Sequence, residues 1–197
     1  MPSVSDPELS PERILAAYMA GYFPMADSRN GIIRWFSPDP RCILPLEGFR
    51  IPRSLRRTIH RSVFSITVDK CFPSVIELCA SRSETWISDE IIHAYTVLHR
   101  RGFSHSVEAW FEGELAGGLY GVAIRGAFFG ESMFTRISDA SKVCLEFLVR
   151  HLVARGFVLL DSQIINDHVR QFGAVEVARE DYFRLLLAAL EKDTSFC

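Results

Sequence analysis

Residues 104–134 read SHSVEAWF-EG-ELAGGLYGVAI-RG-AFFGESMF, and the fold turns on how that stretch is punctuated. Ser104–Phe111 alternates, Glu112-Gly113 offers a tight turn, and Leu115–Ile124 alternates back. A third run, Ala127–Phe134, follows, so the pattern predicts a three-stranded antiparallel meander. Downstream, Asp139–Arg155 carries the period of a long helix. Lys142, Glu146 and Arg150 share one polar face at i, i+4 spacing, and Val143, Leu145, Phe147, Leu148 and Leu152 fill much of the rest. Gly156 ends that helix. Phe157–Leu160 then reads as a buried strand delivering Asp161-Ser162-Gln163 at its carboxyl end, and a last helix is expected from about Glu180 to Leu190.

Upstream, Ser10-Pro11-Glu12 opens a helix, with Ile14, Leu15, Tyr18 and Met19 as one apolar stripe and Gly21 as the stop. Residues 22–48 are rich in aromatics, glycine and proline. Pro38 and Pro40 forbid a helix between Trp35 and Arg41, so an ordered loop or strand edge is predicted there. A helix from about Ser54 to His60 places Arg53, Arg57 and His60 on one face. Val63–Val68 reads as a strand and Pro73–Ser81 as a helix. Ser88 caps a helix over Asp89–Arg101 that Gly102 ends. Residues 1–9 and Lys192–Cys197 are expected to fray. Meander, long helix, strand, helix is the order of the acetyltransferase-like (GNAT-like) fold. The expected class is therefore α+β with a mixed, mostly antiparallel sheet, an analogy that by itself gives no function.

A formal net charge of −2 disfavours nucleic-acid binding in general. The local pattern differs: residues 50–61 hold five arginines and His60 without one acid. Cysteines stand at 42, 71, 79, 144 and 197 with no C-x-x-C pair, which gives a zinc site little support and points to reduced thiols in the cytosol. No signal peptide and no membrane-spanning apolar run is read, and a monomer is expected.

Several blocks occur in order: Gly21 to Met25, Trp35 to Arg41, Thr85-Trp86-Ile87, Gly117 to Val122, Phe128 to Phe134, Asp139 to Lys142, Asp161-x-Gln163, and Phe172-Gly173-Ala174. Together they resemble the leucyl/phenylalanyl-tRNA–protein transferase family over nearly the whole chain. The resemblance implies transfer of leucine or phenylalanine, with methionine as a further donor, from charged tRNA to proteins with N-terminal arginine or lysine. The product is thereby marked for degradation. It implies no metal, CoA or other cofactor, and no membrane. It also implies a small N-terminal domain over residues 1–39 joined to an acetyltransferase-like domain over 40–197.

By the same match, Asp161, Gln163 and Glu131 form the reaction centre. Asp161 would accept a proton or orient the attacking amine, and Gln163, which has no useful basicity, would position it. Alone, Asp161 reads as a turn cap, and Glu131, inside an apolar strand, needs either an arginine or a substrate ammonium. Leu119, Phe128, Met133, Leu145 and Leu160 would line the donor pocket. Trp35 and Trp86 would meet the terminal adenosine, and Arg53, Arg57 and His60 would contact tRNA phosphates. The chain departs from the family's common pattern at Leu119 (methionine), Ser162 (cysteine), His60 (lysine) and Arg125 (glycine). Ser162 is expected to point away from the site. Two rival readings are an acyl-CoA-dependent acetyltransferase, whose long helix needs a glycine-rich entry that Thr135–Ser138 lacks, and a non-catalytic RNA-binding module built on residues 50–61.

Overall fold

The structure is a computed structural model and describes residues 9–197. The fraying expected of residues 1–8 lies outside the described residues; Leu9, included in that expectation, is buried. Helix α1 spans Pro11–Met19, with Pro11 at its first turn and the Ser10 hydroxyl accepting the Arg13 N–H. Its buried stripe is Ile14 and Tyr18, whereas Met19 faces out. Residues 22–48 are more regular than their composition suggests. Strands β1 (Phe23–Ala26) and β2 (Ile33–Phe36) form a separate antiparallel hairpin, and β3 (Arg41–Ile43) enters the main sheet.

The chain continues through α2 (Arg53–His60), β4 (Ser65–Val68), α3 (Phe72–Ala80) and α4 (Asp89–Arg100), the last capped by Ser88 as expected. The meander is present as β5 (Ser104–Phe111), β6 (Glu114–Ile124) and β7 (Ala127–Thr135). Then come α5 (Ala140–Ala154), β8 (Leu159–Gln163), α6 (Asp167–Arg170), β9 (Val175–Val177) and α7 (Arg179–Leu190). On α5 the ion pairing differs from the expected i, i+4 chain. Lys142 bonds Asp139 at 2.9 Å, Arg150 bonds Glu146 at 2.6 Å, and Glu146 itself is buried.

One seven-stranded sheet runs in the order β4-β5-β6-β7-β8-β3-β9. Its β7–β8 pair is parallel and its other pairs are antiparallel, giving the mixed α+β architecture predicted. An apolar layer covers each face. One joins α1, α3, α4 and α7 to residues such as Tyr120, Val122 and Phe129. The other joins α2 and α5 to Leu119, Phe128 and Leu160. The carboxyl-terminal tail does not fray as predicted. Phe196 is buried in the second layer, stacked on His105, with its carbonyl 2.7 Å from His151 Nε2. No helix among the described residues is long and apolar enough to cross a membrane.

Gly121 sits where no side chain fits. A β-carbon there would stand 2.3 Å from the Phe129 carbonyl oxygen and 2.4 Å from the Phe128 ring. Gly121→Ala should therefore lower stability by about 1–3 kcal/mol or more, as overpacking against backbone does. Urea unfolding followed by circular dichroism checks this, and an unchanged midpoint would contradict it.

Candidate active site

Strands β7 and β8 pair only from Ala127–Leu159 to Phe129–Asp161. Beyond that point they part, because β8 turns its other edge to β3, pairing Ile43 with Asp161 and Cys42 with Gln163. At the same level β7 bulges. Gly121 opposes Gly130 and Tyr120 opposes Ser132, so Glu131 has no partner on β6. The split and the bulge open a cavity of about 490 Å³ between Gly130–Thr135 on one side and Ser162–Ile164 on the other.

The polar corner is built on a buried ion pair. Arg41, 1% exposed, bonds the Asp161 carboxylate through Nε (3.0 and 3.2 Å) and Nη2 (2.7 Å), and Nη1 donates to the Gly21 carbonyl. The guanidinium also lies over the Phe23 and Tyr182 rings. Asp161 accepts further bonds from the Tyr182 hydroxyl at 2.7 Å and from the Gln163 backbone N–H at 2.8 Å. That last bond holds Gln163 at φ +62°, a left-handed conformation that costs a non-glycine residue energy and gathers at functional sites. From there Gln163 Nε2 donates to Glu131 Oε1 at 2.7 Å.

Glu131 is held differently, through one of its two carboxylate oxygens. Oε1 accepts from the Tyr18 hydroxyl at 2.5 Å, and Tyr18 in turn shares a hydrogen bond with Tyr95. Oε2 is buried and has no partner among the described residues. Burial pushes the Glu131 carboxyl up to about 7, against the downward pull of the Tyr18 and Gln163 hydrogen bonds. No arginine bridges it among the described residues, and Arg41, whose charge is felt at Glu131, is committed to Asp161.

The residues expected to form the site are partly gathered here. Glu131, Asp161, Gln163, Leu119, Met133, Leu145, Leu160 and Trp86 all line the cavity. Phe128 does not. Its ring fills the layer between Gly121 and Phe196, so it packs the core behind the cavity wall. Trp35 does not either. It lies in the β1–β2 hairpin, with the Arg13 guanidinium 5.9 Å from its ring. Ser162, expected to point away, lines the cavity together with Asp161 and Gln163. Arg53, Arg57 and His60 are exposed on α2, away from the cavity lining, with Leu55 anchoring that helix below. The Thr58 hydroxyl bonds Asp139 at 3.0 Å, which ties α2 to the start of α5 beside the cavity wall at Thr135 and Ser141.

Five groups escape a reading of the sequence. Arg41 and Tyr182 hold Asp161, and Tyr18 holds Glu131, yet each comes from a segment remote in sequence. His168 lines the cavity with a buried, unpartnered Nε2, and burial together with Lys142 and Arg82 lowers its pKa. Arg82, at the rim, donates to the Met133 carbonyl. Nothing local marks these side chains except, for Arg41, a charge that directly follows a pair of prolines.

Residues 43–187 match the family model described as leucyl/phenylalanyl-tRNA protein transferase, and residues 7–39 match the model of its N-terminal domain. A leucyl/phenylalanyl-tRNA–protein transferase of Salinibacter ruber is 54% identical, covering 93% of this chain and 81% of that protein. One of Chlorobaculum tepidum is 50% identical, covering 94% and 97%. Among solved structures, a ribosomal-protein-alanine N-acetyltransferase from Brucella melitensis aligns at 15% identity and a TM-score of 0.41, over 55% of this chain and 86% of that one.

The Arg41–Asp161 pair gives a direct test of how the corner is held. Arg41→Met leaves a buried carboxylate without its cation and should cost roughly 3–5 kcal/mol in denaturant unfolding. Arg41→Lys keeps the charge but loses the two-pronged contact, so it should be destabilised by less. Equal stability of wild type and Arg41→Met would show that the pair does not hold the corner.

Proposed function

Because the chain belongs to the leucyl/phenylalanyl-tRNA protein transferase family, we propose that its cavity receives the aminoacyl 3′ end of a charged tRNA while an acceptor amine enters beside Glu131. The protein is an aminoacyltransferase that moves leucine or phenylalanine from tRNA to another protein. The observation that carries the site reading is Glu131 Oε2: a buried carboxylate oxygen with no partner among the described residues, on the wall of a cavity lined by both apolar and polar side chains.

The reaction is aminolysis of an ester. An α-amino group, with a reference pKa of about 7.7–8.0, must lose a proton before it attacks. Oε2 is the acceptor in the corner with no bond to a protein donor, so it meets the incoming ammonium and takes that proton. Gln163 and Tyr18 keep the carboxylate in place through Oε1. Asp161 has a different task from the base role its position suggests. Its carboxylate already accepts bonds from Arg41, Tyr182 and Gln163, so it orients Gln163 and leaves proton transfer to Glu131. Leu119, Met133, Leu145 and Leu160 hold the donor side chain. The ribose hydroxyl leaves, and holding ester and amine together supplies up to ~7–11 kcal/mol of the barrier reduction in favourable cases. Trp86 lies at the cavity wall where a terminal base can stack.

The finer reading follows the family resemblance. Acceptors begin with arginine or lysine, methionine is a further donor, and the product is marked for degradation. The protein works as a cytoplasmic monomer. Residues 1–39 act as the small N-terminal domain that lends Tyr18 to the site in residues 40–197. The face of α2 bearing Arg53, Arg57 and His60 tracks the tRNA backbone. No ion pair engages Arg53 or Arg57 among the described residues, so their charge is available to phosphate. The acyl-CoA reading loses its main requirement. At the start of α5 the Ser141 N–H is taken by the Thr135 hydroxyl, and the Ala140 N–H by the Ile137 carbonyl, so these donors do not face a pyrophosphate.

Purified protein should transfer labelled leucine or phenylalanine from charged tRNA to an arginine-initiated peptide, with a rate that climbs as pH rises through about 7, where Glu131 ionises. Glu131→Gln should lower the rate by ~10²–10⁴-fold and flatten that limb. The stability effect of the same group has the opposite sign. Between its ordinary value of 4.5 and about 7 the native state keeps a proton that the unfolded chain has lost, so Glu131 makes stability fall as pH rises across that window. Absence of incorporation by folded protein would overturn the function, and an unaltered pH limb in Glu131→Gln would overturn the role of the carboxylate. Replacing Arg53 and Arg57 together by glutamate should weaken tRNA binding and reduce the slope of log affinity against log salt by about 1 per lost phosphate contact. An unchanged slope would place the tRNA elsewhere.

A further inference from the structure

On the far edge of the sheet, three potential ligand atoms converge away from the transfer cavity. The Asp69 carboxylate follows β4, His105 is the second residue of β5, and Cys197 is delivered by the tail that Phe196 anchors. His105 Nδ1 stands 2.7 Å from Asp69 Oδ2, and Cys197 Sγ stands 3.6 Å from that oxygen and 3.9 Å from Nδ1. None of the three residues lines the transfer cavity.

The protons at this cluster restrict what can fill it. His105 Nε2 lies 3.1 Å from the Gly102 carbonyl, which only accepts, so Nε2 carries a hydrogen. Nδ1 then points a lone pair at a carboxylate oxygen unless a second proton or a cation lies between them. The carbonyl contact fixes the ring as outer-shell partners do for metal-bound histidines. Asp69 is likewise oriented, because its Oδ1 accepts the Ser106 N–H at 2.8 Å. Around a tetrahedral zinc ion, with bonds of ~2.0–2.3 Å, ligand atoms sit roughly 3.3–3.8 Å apart. The two contacts to sulfur are near that spacing already, and the Asp69–His105 contact needs to open by roughly half an ångström on losing its proton.

We propose that Asp69, His105 and Cys197 form a binding site for a divalent transition cation of the zinc type, with water as the fourth ligand. The imidazole nitrogen, carboxylate oxygen and thiolate are a donor set suited to zinc and poorly suited to magnesium or calcium. The ion would clamp the tail against β5, and it would take the place of the proton shared by Asp69 and His105.

The test is titration of the untagged, chelator-treated full chain with Co²⁺ and then Zn²⁺ in a phosphine reductant. One equivalent of Co²⁺ should give a thiolate-to-cobalt charge-transfer band that Zn²⁺ abolishes. Zn²⁺ should raise the Tm, and binding should tighten as pH rises because the ligands must lose protons. Cys197→Ser, at an exposed position, should fold normally, lose the band and bind Zn²⁺ weaker by more than the ~10–100-fold that loss of an outer-shell partner costs. Asp69→Asn should weaken binding as well. No charge-transfer band at saturating Co²⁺, a band that persists in Cys197→Ser, or equal Zn²⁺ affinity in wild type and both variants would overturn the proposal.

Discussion

Arg41 and Asp161 are both taken out of water, and each is sustained by what surrounds the other. The guanidinium gives two hydrogens to the carboxylate and one to the Gly21 carbonyl, and it lies between the faces of Phe23 and Tyr182. A pair this buried has its desolvation cost repaid only when its remaining donors and acceptors are used. Here they are. The pair joins β3 to β8, the α1–β1 turn to the sheet, and α7 to the site. Through one more bond it fixes the backbone of Gln163 in a conformation an ordinary strand would avoid. The shape of the polar corner is therefore set by a buried charge that makes no hydrogen bond to Glu131 of its own.

The consequence is a division between two nearby carboxylates. Asp161, facing an arginine and two further donors, has its carboxylate oxygens occupied. Glu131, buried with hydrogen bonds to one oxygen only, binds its last proton near neutrality. The two are coupled, since the Asp161 charge raises the Glu131 pKa and the Arg41 charge lowers it. Pairs of acids separated in this way are how a fold assigns one group to proton transfer and another to positioning. Removing Arg41 would therefore act on Glu131 as well as on Asp161, driving the first further toward its neutral form.

Much of this architecture was legible in the sequence because its signals are local. The meander announces itself through two glycine turns and alternating apolar runs, and α5 through a helical period closed by glycine. The short strand β3 was not legible. Three residues between a proline pair and an irregular segment carry no periodicity, and their pairing with β8 and β9 is decided by tertiary packing. Leu119, Met133, Leu145 and Leu160, read together from their place in recognisable blocks, line one cavity, whereas Phe128 from the same strand as Met133 packs in the core. Glu131 is itself the bulged residue, three positions after Phe128, and no pattern of apolar residues shows where a strand gains an extra residue. Tyr18 and Arg41 were out of reach for a related reason: their partners lie more than a hundred residues away.

The bulge and the split between β7 and β8 also explain why an aliphatic cavity and a polar corner can share one space. In a continuous sheet, neighbouring residues alternate between faces, and a carboxylate on one face cannot approach an apolar pocket on the other. Inserting Glu131 as an extra residue shifts the register. Met133 then meets Leu119 across the strands, while Glu131 stays beside Tyr18 on the opposite layer. The gap left by the departing β8 joins the two. If the donor side chain enters between Leu119, Leu145 and Leu160 as proposed, a methylene's difference is worth only ~1–3 kcal/mol there, which suits acceptance of both branched and aromatic apolar donors. Polar side chains would be disfavoured more strongly, because their hydrogen-bonding groups would be stranded among aliphatic carbons. On the same proposal the ester would lie at the boundary, where Gln163 and Glu131 begin.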